Sequence, residues 1–249
     1  MSAPPPGVER DVPLARLATV RTGGPADFYA RPETVDALVA LLTWADAERI
    51  AVGVVGSGSN LLVADAGFRG LVIKLDGELA TIEQDGQRLL CGGGARLPAA
   101  AARAARAGLS GLEFGVNIPG TVGGAVKMNA NAYGGDLSRV LEWVEIATPE
   151  GTARRVPDEL GFSYRRSNLG AHEVVVRASF ALSAADPEGV KATLAEMRAA
   201  RRAAQPSGIK TFGSTFKNPE DPRAEGRSAG VLLDAVSYTH LTLPTNREV

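Results

Sequence analysis

Cysteine is almost absent from this 249-residue chain: Cys91 stands alone, so neither an internal disulfide nor a thiolate metal site can form. Histidine is nearly as scarce. His172 and His240 are the only two, which excludes a His-rich zinc or iron centre and sets the expectation of no metal. No sign of charge dominates, with 27 Lys and Arg against 28 Asp and Glu, so no global field recruits nucleic acid or an anionic membrane surface. No apolar run approaches the roughly 18 residues that a membrane span needs. The opening Met1-Ser2-Ala3-Pro4-Pro5-Pro6 lacks the basic region and apolar stretch of a signal peptide. These absences lead to the expectation of a cytoplasmic protein that binds neither nucleic acid nor membrane. The length suffices for one large core or two modest ones.

Glycine is what the chain has in informative places. Val55-Gly56-Ser57-Gly58-Ser59-Asn60-Leu61-Leu62-Val63 follows a helical segment and the apolar run 50–55, where a strand has just ended. Small residues there leave backbone N–H groups unshielded, so a phosphate can be bound by main-chain dipoles without Lys or Arg. The spacing is not a dinucleotide fingerprint, because no third glycine opens a helix, and it is not a Walker loop, because no Lys-Ser/Thr follows. Taken alone it is equally a tight turn. A second segment, Ile118-Pro119-Gly120-Thr121-Val122-Gly123-Gly124 continuing to Gly134, has Lys127 as its only charged side chain. It reads either as backbone packed against something flat or phosphorylated, or as close helix–strand packing in an Ala/Gly-rich core.

The remaining pattern is mixed. Pro32-Glu33-Thr34-Val35-Asp36 predicts a helix start, with Pro in the first turn and acids near the positive end of the dipole. Val35, Leu38, Val39, Leu42 and Ala45 then share one face. Strands are predicted at 51–55 and 71–75, a hairpin around Asp85-Gly86, and a second around Pro149-Glu150-Gly151. An Ala-rich helix spans 98–107, stopped by Gly108; a strand follows at 174–182 and a long helix at 187–204. Arg198, Arg201 and Arg202 on that helix read as a solvated face. Hairpins mixed with helices, without regular βαβ alternation, predict an α+β fold.

Five ordered motifs give the chain a resemblance. They are Arg21-Thr22-Gly23-Gly24-Pro25-Ala26; the loop 56–60; Gly111-Leu112-Glu113-Phe114 leading into Ile118-Pro119-Gly120; Phe162-Ser163-Tyr164-Arg165-Arg166-Ser167; and Gly213-Ser214-Thr215-Phe216-Lys217-Asn218-Pro219. Together, over residues 19–235, the chain resembles the UDP-N-acetylenolpyruvoylglucosamine reductase family of bacterial flavoproteins. The resemblance implies the two-subdomain FAD-binding fold of the vanillyl-alcohol oxidase and p-cresol methylhydroxylase type, followed by part of an α+β substrate domain. It divides the chain into a lead-in at 1–18, the FAD domain at 19–185 and the start of the substrate domain at 186–236. It also implies FAD bound by Gly56, Ser57, Gly58, Ser59, Asn60 and Leu61 of the first loop. Ile118, Pro119, Gly120, Thr121, Gly123, Gly124 and Asn129 would hold it from the second. Neither histidine lies near a glycine-rich segment, so the FAD is expected to be non-covalent. NADPH is the implied reductant, UDP-N-acetylglucosamine enolpyruvate the substrate, and a monomer the expected state.

The implied reaction adds a hydride to the terminal alkene carbon of an enolpyruvyl ether, so electron density spreads into the neighbouring carboxylate. Such an intermediate needs fixed positive charge, and the planar fork of Arg suits a carboxylate. The resemblance gives this role to Arg165, with Arg166 as a competitor if the register differs and a structural ion pair as the alternative. Ser214 matches the proton donor; the carbanion-like carbon is basic enough for a neutral hydroxyl to serve. Tyr164, Lys217 and Asn218 match substrate contacts. Residues 237–249 carry no family motif and no helical period, and read as foreign sequence on a C-terminally shortened chain. The family's third catalytic group, a Glu, therefore has no counterpart here. Alternatives to the full activity are another oxidase of this fold, or a flavin-binding module without turnover.

Overall fold

The structure, a computed structural model, describes residues 2–204 and 216–235, and its two compact units divide between Thr211 and Phe212. The first unit is built on two sheets. One contains β1 (Glu9–Pro13), β2 (Pro25–Ala30), β3 (Val52–Val54) and β4 (Phe68–Ile73) in the order β1-β2-β4-β3. The β1–β2 pair is antiparallel, and both β2 and β3 run parallel to β4. β1 and β2 are absent from the sequence reading, which places no strand before residue 51. Pro25 opens β2 and Asp27 interrupts its apolar run, so local propensity is poor there. Partners on both sides supply the strand with its ladder, and context overrides propensity. β4 begins at Phe68, three residues before the predicted start. Gly70 permits this, since a Cβ there would press into the Ala51 carbonyl just before β3.

Helix α1 (Val35–Ala47) follows β2. The prediction of Pro32 in its first turn is corrected: Thr34 is the N-cap, its hydroxyl accepting from the Ala37 N–H at 3.2 Å. Pro32 and Glu33 lie outside the helix because their carbonyls are taken by the Asp76 and Glu78 N–H groups at 3.1 and 3.0 Å.

The second sheet is antiparallel throughout. It comprises β5 (Ile82–Asp85), β6 (Arg88–Gly92), β10 (Leu141–Thr148), β11 (Gly151–Arg155) and β12 (Val174–Ala181), ordered β11-β10-β12-β6-β5. The predicted hairpins are both present, but Asp85 pairs with Arg88, so the first turn is Gly86-Gln87 and not Asp85-Gly86. Gly86 takes φ +57°, the left-handed backbone a two-residue turn needs. Between and after these strands lie α2 (Leu97–Arg106), β7 (Leu109–Ser110), α3 (Val122–Lys127), β8 (Asn131–Ala132), β9 (Gly135–Asp136), β13 (Ser183–Ala184) and α4 (Pro187–Ala204). The last described helix, α5 (Ala229–Ala235), lies in the second unit.

Helix α1 joins the two sheets. Leu38, Leu41, Leu42 and Ala45 pack on Phe28, Leu71 and Ile73 of the first sheet, and the same cluster contains Ala147, Val174 and Val176 of the second. Each fully buried leucine there contributes about 1.5–3 kcal/mol by leaving water. Strand β12 serves two cores and changes face at the register shift between Val175 and Arg177. Val174 and Val176 join the α1 cluster, while Val175, Ala178 and Phe180 join a larger one with α2, α3 and α4. Val190 and Leu194 bring α4 into that larger core. So β1, in the stretch expected as a lead-in, and α4, in the stretch expected to open the substrate domain, are both packed within the first unit.

Candidate cofactor and active site

A cleft of about 290 Å³ opens where the ends of both sheets meet α3. Its walls come from five short stretches: β3 and the turn after it to Gly56, Lys74-Leu75 after β4, Gly93-Gly94 after β6, the α3 region from Thr121 to Lys127, and the segment from Leu169 to Val175 that enters β12. Glycines at strand ends and in α3 expose main chain between the apolar and charged side chains of the lining. Lys74 and Lys127 add two positive charges, and Glu173 is the one carboxylate in the lining.

The two glycine-rich segments are bound to each other. Ser59 donates its hydroxyl to the Pro119 carbonyl at 2.7 Å, and Ser57 donates to the same oxygen. Gly56 lies against Thr121, whose Oγ1 would sit 2.5 Å from a Cβ at position 56. Thr121 in turn caps α3, accepting from the Gly124 N–H at 3.4 Å. The Gly123 N–H reaches the Gly93 carbonyl at 2.8 Å and the Val122 N–H reaches Ala95 at 2.8 Å. Much of the second segment's amide capacity is therefore spent inside the protein. The first loop is different. Among the described residues, none of the N–H groups of Gly56, Ser57, Gly58, Ser59 and Asn60 donates a hydrogen bond. A run of uncommitted amides in a turn is an anion-binding surface.

The glycines divide by what a Cβ would meet. Gly58 has φ +67° and a Cβ there would run into the Leu17 carbonyl, so its smallness serves the packing of the loop on Leu17-Ala18. The missing side chain of Gly58 is thus required by the neighbouring backbone, whatever the amides of the loop bind. Gly124 is the reverse case. It lines the cleft, and a Cβ there has only Thr121 Oγ1 within 4 Å, at 3.5 Å. The space beside it is open to a ligand. Open amides at 56–60, two lysines and an unfilled position at Gly124 fit a dinucleotide diphosphate, so the residues present fit FAD. The sequence reading did not single out Gly93, Gly94, Lys74, Lys127 or the wall at 169–175. The run Gly92-Gly93-Gly94 after a predicted strand carried the same signal as the two segments that were weighed.

Glu173 holds the wall at 169–175. Its carboxylate accepts from the Gly170 N–H at 2.6 Å and pairs with Arg155. Burial pushes its pKa up, but the hydrogen bonds from Arg155 and Gly170 and the charges of Arg155 and Lys127 outweigh it and hold the group below the usual carboxylate range. The Lys127 ammonium donates to the Leu169 carbonyl on the same wall.

Arg165 sits on a tight turn. Ser163 and Arg166 exchange backbone hydrogen bonds at 3.1 Å in both directions, which leaves Tyr164 and Arg165 at the tip. Arg165 takes φ +57°, a conformation that costs an L-residue roughly 1–2 kcal/mol. Among the described residues no carboxylate lies within ion-pair distance of it, so the alternative of a structural ion pair has no partner there. Its Nη2 donates to the Asn131 carbonyl at 3.3 Å, and its guanidinium carbon lies 5.2 Å from the Tyr164 ring centre. Asn129 holds the stem of the turn by donating Nδ2 to the Ser163 carbonyl at 3.3 Å, while its buried Oδ1 has no partner. Asn129, Tyr133 and Arg165 all have positive φ, and non-glycine residues in that region cluster where function holds them.

The other expected residues fall as follows. Leu61 packs beneath the first loop, and Asn60 and Pro119 are exposed. Ser57 to Leu61, Ile118, Pro119, Gly120 and Asn129 stand outside the cleft lining, whereas Gly56, Thr121, Gly123 and Gly124 are part of it. Lys217 and Asn218 are exposed in the second unit, and Asn218 Oδ1 accepts from the Ala229 N–H at 3.1 Å, at the start of α5. Ser214 and residues 237–249 lie outside the described residues.

Residues 26–157 match the family model for an FAD binding domain. The chain is 44% identical over 225 residues to the UDP-N-acetylenolpyruvoylglucosamine reductase of Gluconobacter oxydans, covering 90% of this chain and 72% of that one. It superposes on the crystal structure of UDP-N-acetylenolpyruvylglucosamine reductase from Thermus caldophilus with a TM-score of 0.79 and 40% identity, covering 92% of this chain and 79% of the other. A likeness to alkyldihydroxyacetonephosphate synthase, with a TM-score of 0.50, 16% identity and coverage of 64% and 34%, concerns the fold alone. The two sheets and their helices are thus the α+β, two-subdomain FAD-binding architecture, and the chain is an oxidoreductase that belongs to the UDP-N-acetylenolpyruvoylglucosamine reductase family.

Proposed function

We propose that this chain reduces UDP-N-acetylglucosamine enolpyruvate to UDP-N-acetylmuramate at the expense of NADPH, as a step of peptidoglycan precursor synthesis in the cytoplasm. The observation that carries the proposal is the row of uncommitted amides at Gly56–Asn60 beside a cleft lined by Lys74 and Lys127, in a chain of this family. FAD, held there non-covalently, supplies hydride transfer. Gly56, Ser57, Gly58, Ser59 and Asn60 would bind its diphosphate through main-chain N–H groups, with Leu61 beneath them. Thr121, Gly123 and Gly124 would bound the cofactor from the α3 side, with Ile118, Pro119 and Gly120 shaping the approach and Asn129, whose buried Oδ1 has no partner, as a further contact.

Arg165 holds the substrate carboxylate, because its guanidinium has no carboxylate partner among the described residues and so is free to take one. As hydride adds to the alkene, charge accumulates on that carboxylate, and a fixed cation stabilises it more in the transition state than before. Tyr164 beside it lines the substrate. Ser214 delivers the proton to the adjacent carbon, Asn218 contacts the substrate, and Lys217 helps with its charged nucleotide portion. The chain acts as a monomer.

The test is a two-step anaerobic experiment on the FAD-loaded protein. NADPH should bleach the yellow flavin, and UDP-N-acetylglucosamine enolpyruvate should restore the colour without oxygen. Reduction without reoxidation would leave a flavin-binding module; no FAD uptake at all would remove the cofactor reading.

A further inference from the structure

We infer that Asn117 is a positioning residue for Arg165, acting through Tyr133 and the β8–β9 hairpin; this rests on the role proposed above for Arg165. Asn117 ends the short 3-10 turn Glu113–Asn117 and is half-buried. Its Nδ2 donates one hydrogen to the Tyr133 hydroxyl at 2.8 Å and the other to the Met197 carbonyl of α4 at 2.9 Å. The Tyr133 hydroxyl donates to that same carbonyl at 3.3 Å, which closes a triangle of three groups. An amide NH2 and a phenol O–H are all the donors available, and each is used.

The triangle has a mechanical consequence. Tyr133 lies at the tip of the hairpin formed by Asn131–Ala132 and Gly135–Asp136, and its backbone is held at φ +52°. The hairpin rests on the 3-10 turn at a second point, since a Cβ on Gly135 would sit 3.0 Å from Phe114 Cβ. Tip and base are therefore both seated on Glu113–Asn117. The first strand of the hairpin presents the Asn131 carbonyl to Arg165 Nη2, and Asn129, just before it, grips the Ser163 carbonyl on the stem of the Arg165 turn. The guanidinium has no salt-bridge partner among the described residues, so the Asn131 carbonyl is its one hydrogen-bonded anchor there. A shift of the hairpin moves that anchor. Tyr133 is otherwise half exposed, and its aromatic ring alone would not be fixed by core packing. Asn117 decides where it stands.

The experiment measures flavin reoxidation by the enolpyruvyl substrate in the FAD-loaded full chain. Asn117→Leu and Tyr133→Phe should each slow reoxidation by about 5- to 50-fold, with FAD affinity and the rate of reduction by NADPH unchanged. The discriminating arm is the double variant with Arg165→Ala. If Asn117 and Tyr133 act by placing Arg165, Tyr133→Phe should add less than twofold to the loss already caused by Arg165→Ala. A full, multiplicative further loss in that background, or no effect of Tyr133→Phe in the native chain while Arg165→Ala is slow, overturns the inference. Native reoxidation in Arg165→Ala itself would instead strike at the proposed role of Arg165, so the two failures are distinguishable. Tyr133→Phe keeps the ring and is the variant of choice if Asn117→Leu fails to fold.

Discussion

Ser59 hydrogen-bonds the main-chain carbonyl of Pro119 at 2.7 Å across 60 residues of sequence, and so ties the first glycine-rich loop to the second. Ser57 doubles the tie on the same oxygen. The loop that offers free amides is therefore tied down by hydroxyls of its own side chains.

That tie is testable by removing it. Each neutral hydroxyl–carbonyl bond contributes about 0.5–1.5 kcal/mol net. Ser59→Ala alone should be tolerated because Ser57 still reaches Pro119. The double variant Ser57→Ala/Ser59→Ala should weaken FAD binding by roughly 5- to 20-fold, as the loop loses its fixed shape. Fluorescence titration with FAD measures this, and unaltered affinity in the double variant would show that the amides are arranged by other contacts.

Gly58 and Gly124 should fail in different ways. Gly124→Val has its Cβ no closer than 3.5 Å to Thr121 Oγ1 beside the open cleft, so melting should stay near native while FAD affinity drops at least tenfold, about 1.4 kcal/mol. Gly58→Val meets the Leu17 carbonyl at a positive φ, so it should cost fold stability as well as FAD. Paired thermal melts of the cofactor-free proteins separate the two; a destabilised Gly124→Val would mean that the cleft closes on itself without ligand.

Arg165 pays for its position in backbone strain. Asn visits the left-handed region more readily than Arg, so Arg165→Asn should unfold at the native temperature or slightly above it. Its rate of flavin reoxidation by substrate should fall by about 10²–10³-fold, the range seen when a preorganised donor is lost. Equal turnover would assign the carboxylate to Arg166 or another cation.

Acid should loosen the cleft wall. Glu173 has its carboxyl pKa held below the ordinary range in the folded chain, so the stability it contributes is fully present above the unfolded value of about 4.3. That contribution is lost as pH falls through the lower, folded value. FAD release followed from pH 7 down to pH 3 should show a component below about pH 4.5 that Glu173→Gln lacks, because the amide has no proton to gain. The variant should already bind FAD less tightly at neutral pH, having weakened the contacts to Arg155 and Gly170 N–H. Superimposable release curves would show that the 169–175 wall stands without the carboxylate.

Sequence alone determined α1, α2, α4 and the two hairpins of the second sheet, because their signals are local. The period of Leu38, Leu42 and Ala45, the stop at Gly108 and the turn residues near 86 and 150 each act within a few positions. Of the motifs around Gly56, Gly120 and Arg165, the first two run into the cleft wall at Gly56 and at Thr121, Gly123 and Gly124. Tertiary structure decided the rest. β2, with its Pro25 and Asp27, is a strand only because β1 and β4 flank it. Whether Gly58 or Gly124 leaves room for a ligand depends on Leu17 and Thr121, which no spacing reveals. Lys74, Gly93 and Glu173 join one cleft from separate strand ends, and Asn117 meets Tyr133 and Met197 across 16 and 80 residues. A local pattern states what a segment prefers. What its free amides and cations face is settled only when distant backbone comes to lie beside them.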